Sequence, residues 1–237
     1  MSRIKVLFVG NSQFSNGELT RMVVSLAESA PMDWPRIEAG NALIGGKSLR
    51  GHWEMGEDPF TPRGMIAAGG WEYVVIQEIF CAARAEFEEY AAKFNEAIRL
   101  MGARTVLFAT ANVTQYYNAA FRYPDGFRTL NDMQIEFGRK HGVAVAAAGY
   151  AWMRYLGPNP TEEEILALYH RDKGHPGVKG SVIYASLLYA VITGRDPRLL
   201  PTPEKDIDCG DGRTLTREEV IRMRSAAWEQ YRAGGPV

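Results

Sequence analysis

The chain has 237 residues, enough for one α/β domain with a full apolar core. Its 27 basic and 28 acidic residues leave a net charge of -1, without the positive field that selects nucleic acid or an anionic membrane surface. A small, uncharged or weakly charged partner fits that balance better.

Residues 1–200 read as one domain, and 201–237 as a connector and helix packed on it. Ile4 to Val9 is apolar, closes at Gly10 and is too short for a signal core or a membrane span. Cys81 and Cys209 are the only cysteines, too few for a disulfide framework or a structural zinc site. A cytoplasmic location is the expectation.

In chain order, Ile4 to Val9 predicts a strand covered on both faces. Ser15 with Glu18 reads as a capping box for a helix whose apolar face carries Leu19, Met22, Val23, Leu26 and Ala30. A weaker strand is expected at Ala42 to Ile44, just before Gly45-Gly46. Tyr73 to Ile76, Thr105 to Ala109 and Val143 to Ala147 are further strands. Between them, Phe87, Tyr90, Ala91, Phe94, Ile98 and Met101 draw one helical stripe, and Leu130, Met133 and Phe137 a shorter one.

Val178 to Ile192 is apolar on nearly every side, a helix buried in the main body and ended by Gly194. Pro201 to Gly212 is a turn-rich connector, and Thr216 with Glu219 is a second capping box opening a last helix through Tyr231. That helix packs either on the outside of its own domain or against a second subunit, which would make a homo-oligomer.

Strand and helix alternate, so crossovers are right-handed and the sheet is parallel with helices on both faces. The predicted fold class is a three-layer α/β/α sandwich with a five-stranded parallel sheet, flavodoxin-like in build. Ligands of such sheets bind outside the carboxyl ends of the strands. The residues there are Gly10-Asn11-Ser12, Gly45-Gly46, Gln77-Glu78 and Thr110-Ala111-Asn112.

Ser12 follows a buried strand and precedes a helix, where free backbone N–H groups face outward. A serine needs a base to become a nucleophile, and the histidines are His52, His141, His170 and His175. His141 ends a charged helix and reads as a solvated cation at its C-terminus. His52 follows the second strand region, on the ligand side of the sheet. Asp172 lies three residues before His175, and on a helical turn that spacing puts carboxylate and imidazole on one side. Acid, base and nucleophile then have the roles of a triad.

Gly10-Asn11-Ser12, Gly45-Gly46 and Asp172 to His175 followed by an apolar helix resemble the SGNH, or GDSL-like, hydrolase superfamily over residues 4 to 195. Ile44 to Leu49 with His52-Trp53, Val75 to Glu78, and His175-Pro176 to Gly180 look like a bacterial branch of it. The resemblance implies Ser12 as nucleophile, Asp172 and His175 as acid and base, and an oxyanion hole from the N–H groups of Ser12 and Gly46, with Gly45 as second choice. It implies no metal or organic cofactor. Asn11 and His52 join the substrate-side candidates.

The third block departs from the pattern. The superfamily carries glycine, one residue, then asparagine after the third strand, and this chain has Gln77-Glu78-Ile79. The side-chain oxyanion donor therefore falls to Gln77 or to Asn112 after the next strand. The implied reaction is hydrolysis of a carboxylic ester, such as an O-acetyl group on a sugar or small alcohol. Acyl transfer, lyase chemistry or plain small-molecule binding on the same fold are the alternatives.

Plainer readings exist for each residue. Ser12 can be turn chemistry, and His175 can cap the buried helix while Asp172 pairs with Arg171 or Lys173. Gln77 and Asn112 can satisfy loop backbone. Tyr116, Tyr117, Phe121, Tyr123 and Phe127 can be loop packing rather than a pocket wall, and Cys81 a buried inert thiol.

Overall fold

A computed structural model describes residues 2–16, 18–111, 124–210 and 212–234. β1 (Arg3–Gly10) leads through the one-turn α1 (Ser12–Ser15) and α2 (Leu19–Ser29) to β2 (Arg36–Leu43). α3 (Leu49–Trp53) and α4 (Pro62–Ala67) precede β3 (Tyr73–Ile76). α5 (Arg84–Leu100) leads to β4 (Arg104–Ala109), and α6 (Asp125–His141) to β5 (Ala144–Ala147). Then come α7 (Ala148–Leu156), α8 (Glu162–Ala167) and α9 (Val178–Thr193). A small antiparallel ribbon, β6 (Ile207–Asp208) with β7 (Thr214–Leu215), precedes α10 (Arg217–Gly234).

The five long strands form one parallel sheet in the order β2-β1-β3-β4-β5, the α/β sandwich that the alternation predicts. Alternate side chains sort to its two faces, as strand geometry requires. Val6, Phe8, Val75, Val106 and Phe108 join the apolar cluster that also holds α2, α7, α9 and α10. Leu7, Val9, Val74, Ile76 and Leu107 join the other, with Leu49, Phe87, Phe94 and Phe137. Each fully buried side chain of this size contributes roughly 1.5–3 kcal/mol, so the two clusters rather than strand propensity hold the layers.

α10 lays Val220, Met223 and Ala227 into the first cluster, against α9 and α7 of its own chain. The reciprocal Thr216–Glu219 capping bonds, 2.8 and 3.2 Å, open it where the sequence places them.

Three local expectations are corrected. Ser15 and Glu18 form no capping box: α1 intervenes, Ser15 closes it, and Glu18 stands before α2 at φ 47 with no side-chain cap bond. β2 is a full eight-residue strand paired from Arg3↔Arg36 to Gly10↔Leu43 rather than a short one at Ala42 to Ile44. Its alternation is blurred because it is an edge strand, whose Glu38 and Asn41 face solvent. Cys81 is exposed, not buried.

The strand order reverses direction between β1 and β3, which opens a crevice at their carboxyl ends. Gly10-Asn11-Ser12 and Gln77-Glu78 both leave the sheet there. Among the described residues, no helix is long and apolar enough to cross a membrane.

Candidate functional site

The turn after β1 is built for a close approach. A Cβ on Gly10 would lie 2.7 Å from the Phe14 ring and 2.9 Å from Gln77 Oε1, so glycine is required where the chain leaves the sheet. Asn11 then caps α1, its Oδ1 accepting from the Gln13 N–H at 3.1 Å. Ser12 is the first residue of that turn of helix, so its own N–H is one of the orphan donors of a helix start.

His175 comes to Ser12 from the far end of the chain. Ser12 Oγ donates to His175 Nε2 at 2.8 Å, and His175 Nδ1 donates to Asp172 Oδ2 at 2.8 Å. The segment that carries acid and base is not the helical turn the spacing suggested. It is a tight loop closed by an antiparallel bridge of Tyr169 with Pro176 and by the His170 N–H to the His175 carbonyl at 2.8 Å, with Lys173 at φ 55. Asp172 still meets His175, because its Oδ1 gathers the N–H groups of Gly174 (2.8 Å) and His175 (3.0 Å).

Partial burial by itself would raise the Asp172 carboxyl. The Gly174 N–H, the His175 ring and the His175 N–H outweigh it and hold the group down to about 2, so it is ionised at neutral pH. A second imidazole stands on the same carboxylate: His170 Nδ1 is 3.3 Å from Asp172 Oδ2.

The Gly45-Gly46 turn starts beside the Ser12 turn. Ile44 N–H donates to the Gly10 carbonyl at 3.0 Å, and Asn11 Nδ2 donates to the Lys47 carbonyl at 3.0 Å, so both ends of the turn are tied to it. Gly46, at φ +71, is exposed and takes a backbone conformation that suits glycine.

His52 is buried in α3, and its Nε2 donates to the Gly10 carbonyl at 2.9 Å. Burial drives its pKa down to about 4, opposed by that carbonyl and helped by Lys47, so it is a neutral brace behind the site. Its other ring nitrogen, Nδ1, has no hydrogen-bond partner among the described residues, so it makes no hydrogen bond to Ser12.

Gln77 is fully buried and faces backward. Its Oε1 accepts from the Asn11 N–H at 3.0 Å and its Nε2 donates to the Glu78 carbonyl. Both ends of the amide thus meet backbone, and one of its two Nε2 N–H groups is taken by the Glu78 carbonyl. Asn112, the other candidate, lies outside the described residues, as do Tyr116, Tyr117, Phe121 and Tyr123; Phe127 is core.

Two residues of the site carry signals that went unread in the sequence. Gln13, next to the serine, is 6 % exposed and its Nε2 donates to the Gly174 carbonyl at 3.0 Å, crossing 161 residues to the loop that holds His175. Glu78 is 3 % exposed; its Oε1 accepts from Leu49 N–H (3.1 Å) and Ile79 N–H (2.7 Å), and its Oε2 has no partner. The cue for both was polarity next to a buried turn, which marks a bond without naming its partner.

No family model and no curated protein sequence matches the chain. Solved structures do. A candidate SGNH hydrolase from Slackia heliotrinireducens superposes with TM-score 0.63 at 20% identity, over 82% of this chain and 100% of its own. A variant of Axe2, an acetyl-xylooligosaccharide esterase from Geobacillus, gives 0.63 at 17% identity over 85% and 98%. The acetyl xylan esterase AlAXEase gives 0.59 at 17% over 80% and 100%. The chain has the SGNH-hydrolase fold.

Proposed function

We propose that the chain is a serine hydrolase that cleaves carboxylic esters through an acyl-enzyme on Ser12. One observation carries the reading: Ser12 Oγ, the His175 ring and the Asp172 carboxylate stand in line, with 2.8 Å at each of the two joints. His175 takes the Ser12 proton as Oγ attacks the ester carbonyl. The same proton goes to the departing alcohol, and a water, deprotonated by His175, then releases the acid. Asp172 stays ionised and orients the ring.

The developing oxyanion is received by the N–H groups of Ser12 and Gly46. We read the substrate as a small acyl ester, an O-acetyl group on a sugar or small alcohol; acetyl xylan and acetyl-xylooligosaccharide esterases among the structural neighbours support this choice. Cys81 and Cys209 form no disulfide, consistent with a reducing compartment such as the cytoplasm.

Incubation with a fluorophosphonate probe and with p-nitrophenyl acetate tests the reading. Wild type is expected to label and turn over, and Ser12→Ala to do neither. Turnover retained in Ser12→Ala overturns the nucleophile. A folded wild type that neither labels nor turns over puts the fold to binding, and labelling without hydrolysis points to acyl transfer.

A further inference from the structure

α2, α9, α10 and the 201–207 segment enclose a cleft of about 450 Å³ that includes none of Ser12, Asp172 and His175. Met22, Leu26, Val182, Pro203 and Val220 give it a mainly apolar lining, with Ser25, Ser29 and Thr202 also along it. Arg224 also lines it and is only 5 % exposed. Nη1 of this guanidinium donates to the carbonyls of Leu200 (2.9 Å) and Pro201 (3.1 Å), and its Nε has no acceptor.

The charge is as isolated as the nitrogen. Among the described residues no carboxylate pairs with Arg224, while Glu18 and Arg21, the other charged side chains of the cleft, pair with each other at 3.2 Å. Burial pushes the Arg224 pKa down from its ordinary value, with no acidic neighbour opposing it. A buried cation without a counter-ion is costly, and an arginine fork matches a carboxylate in geometry. A concave, mainly apolar space with one polar anchor, of a volume within the usual ligand range, is how small-molecule sites are built.

We propose that this cleft binds a medium-chain aliphatic carboxylate, its head pairing with the Arg224 guanidinium that lines the cleft and its tail lying along Met22, Leu26, Val182 and Val220. A single guanidinium calls for a head of one negative charge, and the walls offer apolar contact with few directional groups, which suits an unbranched chain. The inference stands independently of the chemistry assigned to Ser12.

Titration calorimetry with sodium decanoate tests it, with decyltrimethylammonium as the charge-reversed probe and fluorophosphonate-treated protein to check the Ser12 site. Decanoate is expected to bind, and equally well after that treatment; the cationic probe is not. Arg224→Met should weaken decanoate at least tenfold. Ser25→Trp, placed on the exposed wall of the cleft, should block it without touching the core or p-nitrophenyl acetate turnover. The proposal is overturned if wild type does not bind decanoate, if both variants bind it as wild type does, or if the cation binds equally well.

Discussion

Around Ser12, the buried side chains of Asn11, Gln13, His52 and Gln77 reach backbone groups of other segments of the chain. At the α2–α9–α10 cleft, the buried guanidinium of Arg224 reaches only two carbonyls of the connector beside it and leaves its Nε unmatched. Where buried polar groups are paired across segments, they set distances; where one is left unmatched, its desolvation is an uncompensated cost. The first region therefore reads as a frame for Ser12 and His175, and the second as a place with a missing partner. Glu78 and His52 belong to the first region by position and partly to the second by an orphaned Oε2 and Nδ1.

Glu78 offers the largest test of that contrast. Burial pushes its carboxyl from 4.5 up to about 7, against the N–H groups of Ile79 and Leu49. Because the folded value is raised, the native state is favoured fully below the unfolded value, and this contribution is lost as pH rises through the folded one. The loss is about 3 kcal/mol across that window. Glu78→Gln should remove it, so denaturant unfolding at pH 4 and pH 8 should show wild type gaining on the variant at the acid end. Equal pH dependence in the two proteins would place the carboxylate in water and end the comparison there.

Gln13→Met comes next, removing a donor while keeping side-chain volume. With the Gln13–Gly174 bond gone, the loop of His175 is held less closely to Ser12. On the proposed mechanism kcat should fall roughly 10- to 100-fold, about 1.4–2.7 kcal/mol of barrier, with KM little changed. A rise in KM at constant kcat would move Gln13 from the frame to the substrate side. Asn11→Ala should lower unfolding free energy by about 1–2 kcal/mol, since it removes the cap on Gln13 and the tie to Lys47. A change within error by chemical denaturation would mean that the Gly45-Gly46 turn holds its place without it.

The smallest effect is expected at Arg224. In the ligand-free protein Arg224→Met should change stability by less than about 1 kcal/mol, because two carbonyl bonds are lost together with a buried unpaired charge. A loss of several kcal/mol would show that the guanidinium is a structural tie like those around Ser12.

Four of the five strands and the long helices were legible in the sequence, since buried parallel strands write continuous apolar runs and helices write periodic stripes. β2 was read short because an edge strand mixes polar residues into its pattern, and the Ser15–Glu18 box failed because a competing cap, Asn11, starts a helix earlier. Gly10-Asn11-Ser12 was legible as a reactive type at a strand end and Asp172 to His175 as an acid and base at short spacing, though the segment of Asp172 and His175 is a bridged loop and not the helical turn supposed.

By itself, then, the sequence determined the layers, the sheet and which residue types stand at its carboxyl edge, because these follow from local periodicity and from short spacings along the chain. Only the tertiary structure decided that Ser12 meets His175, that Gln77 turns inward, that Gln13 bridges to Gly174 and that Arg224 is left without an acid. Each of these depends on which distant backbone groups a polar side chain meets, and burial makes that meeting decisive, since a buried donor or acceptor must find its partner inside the fold or go without.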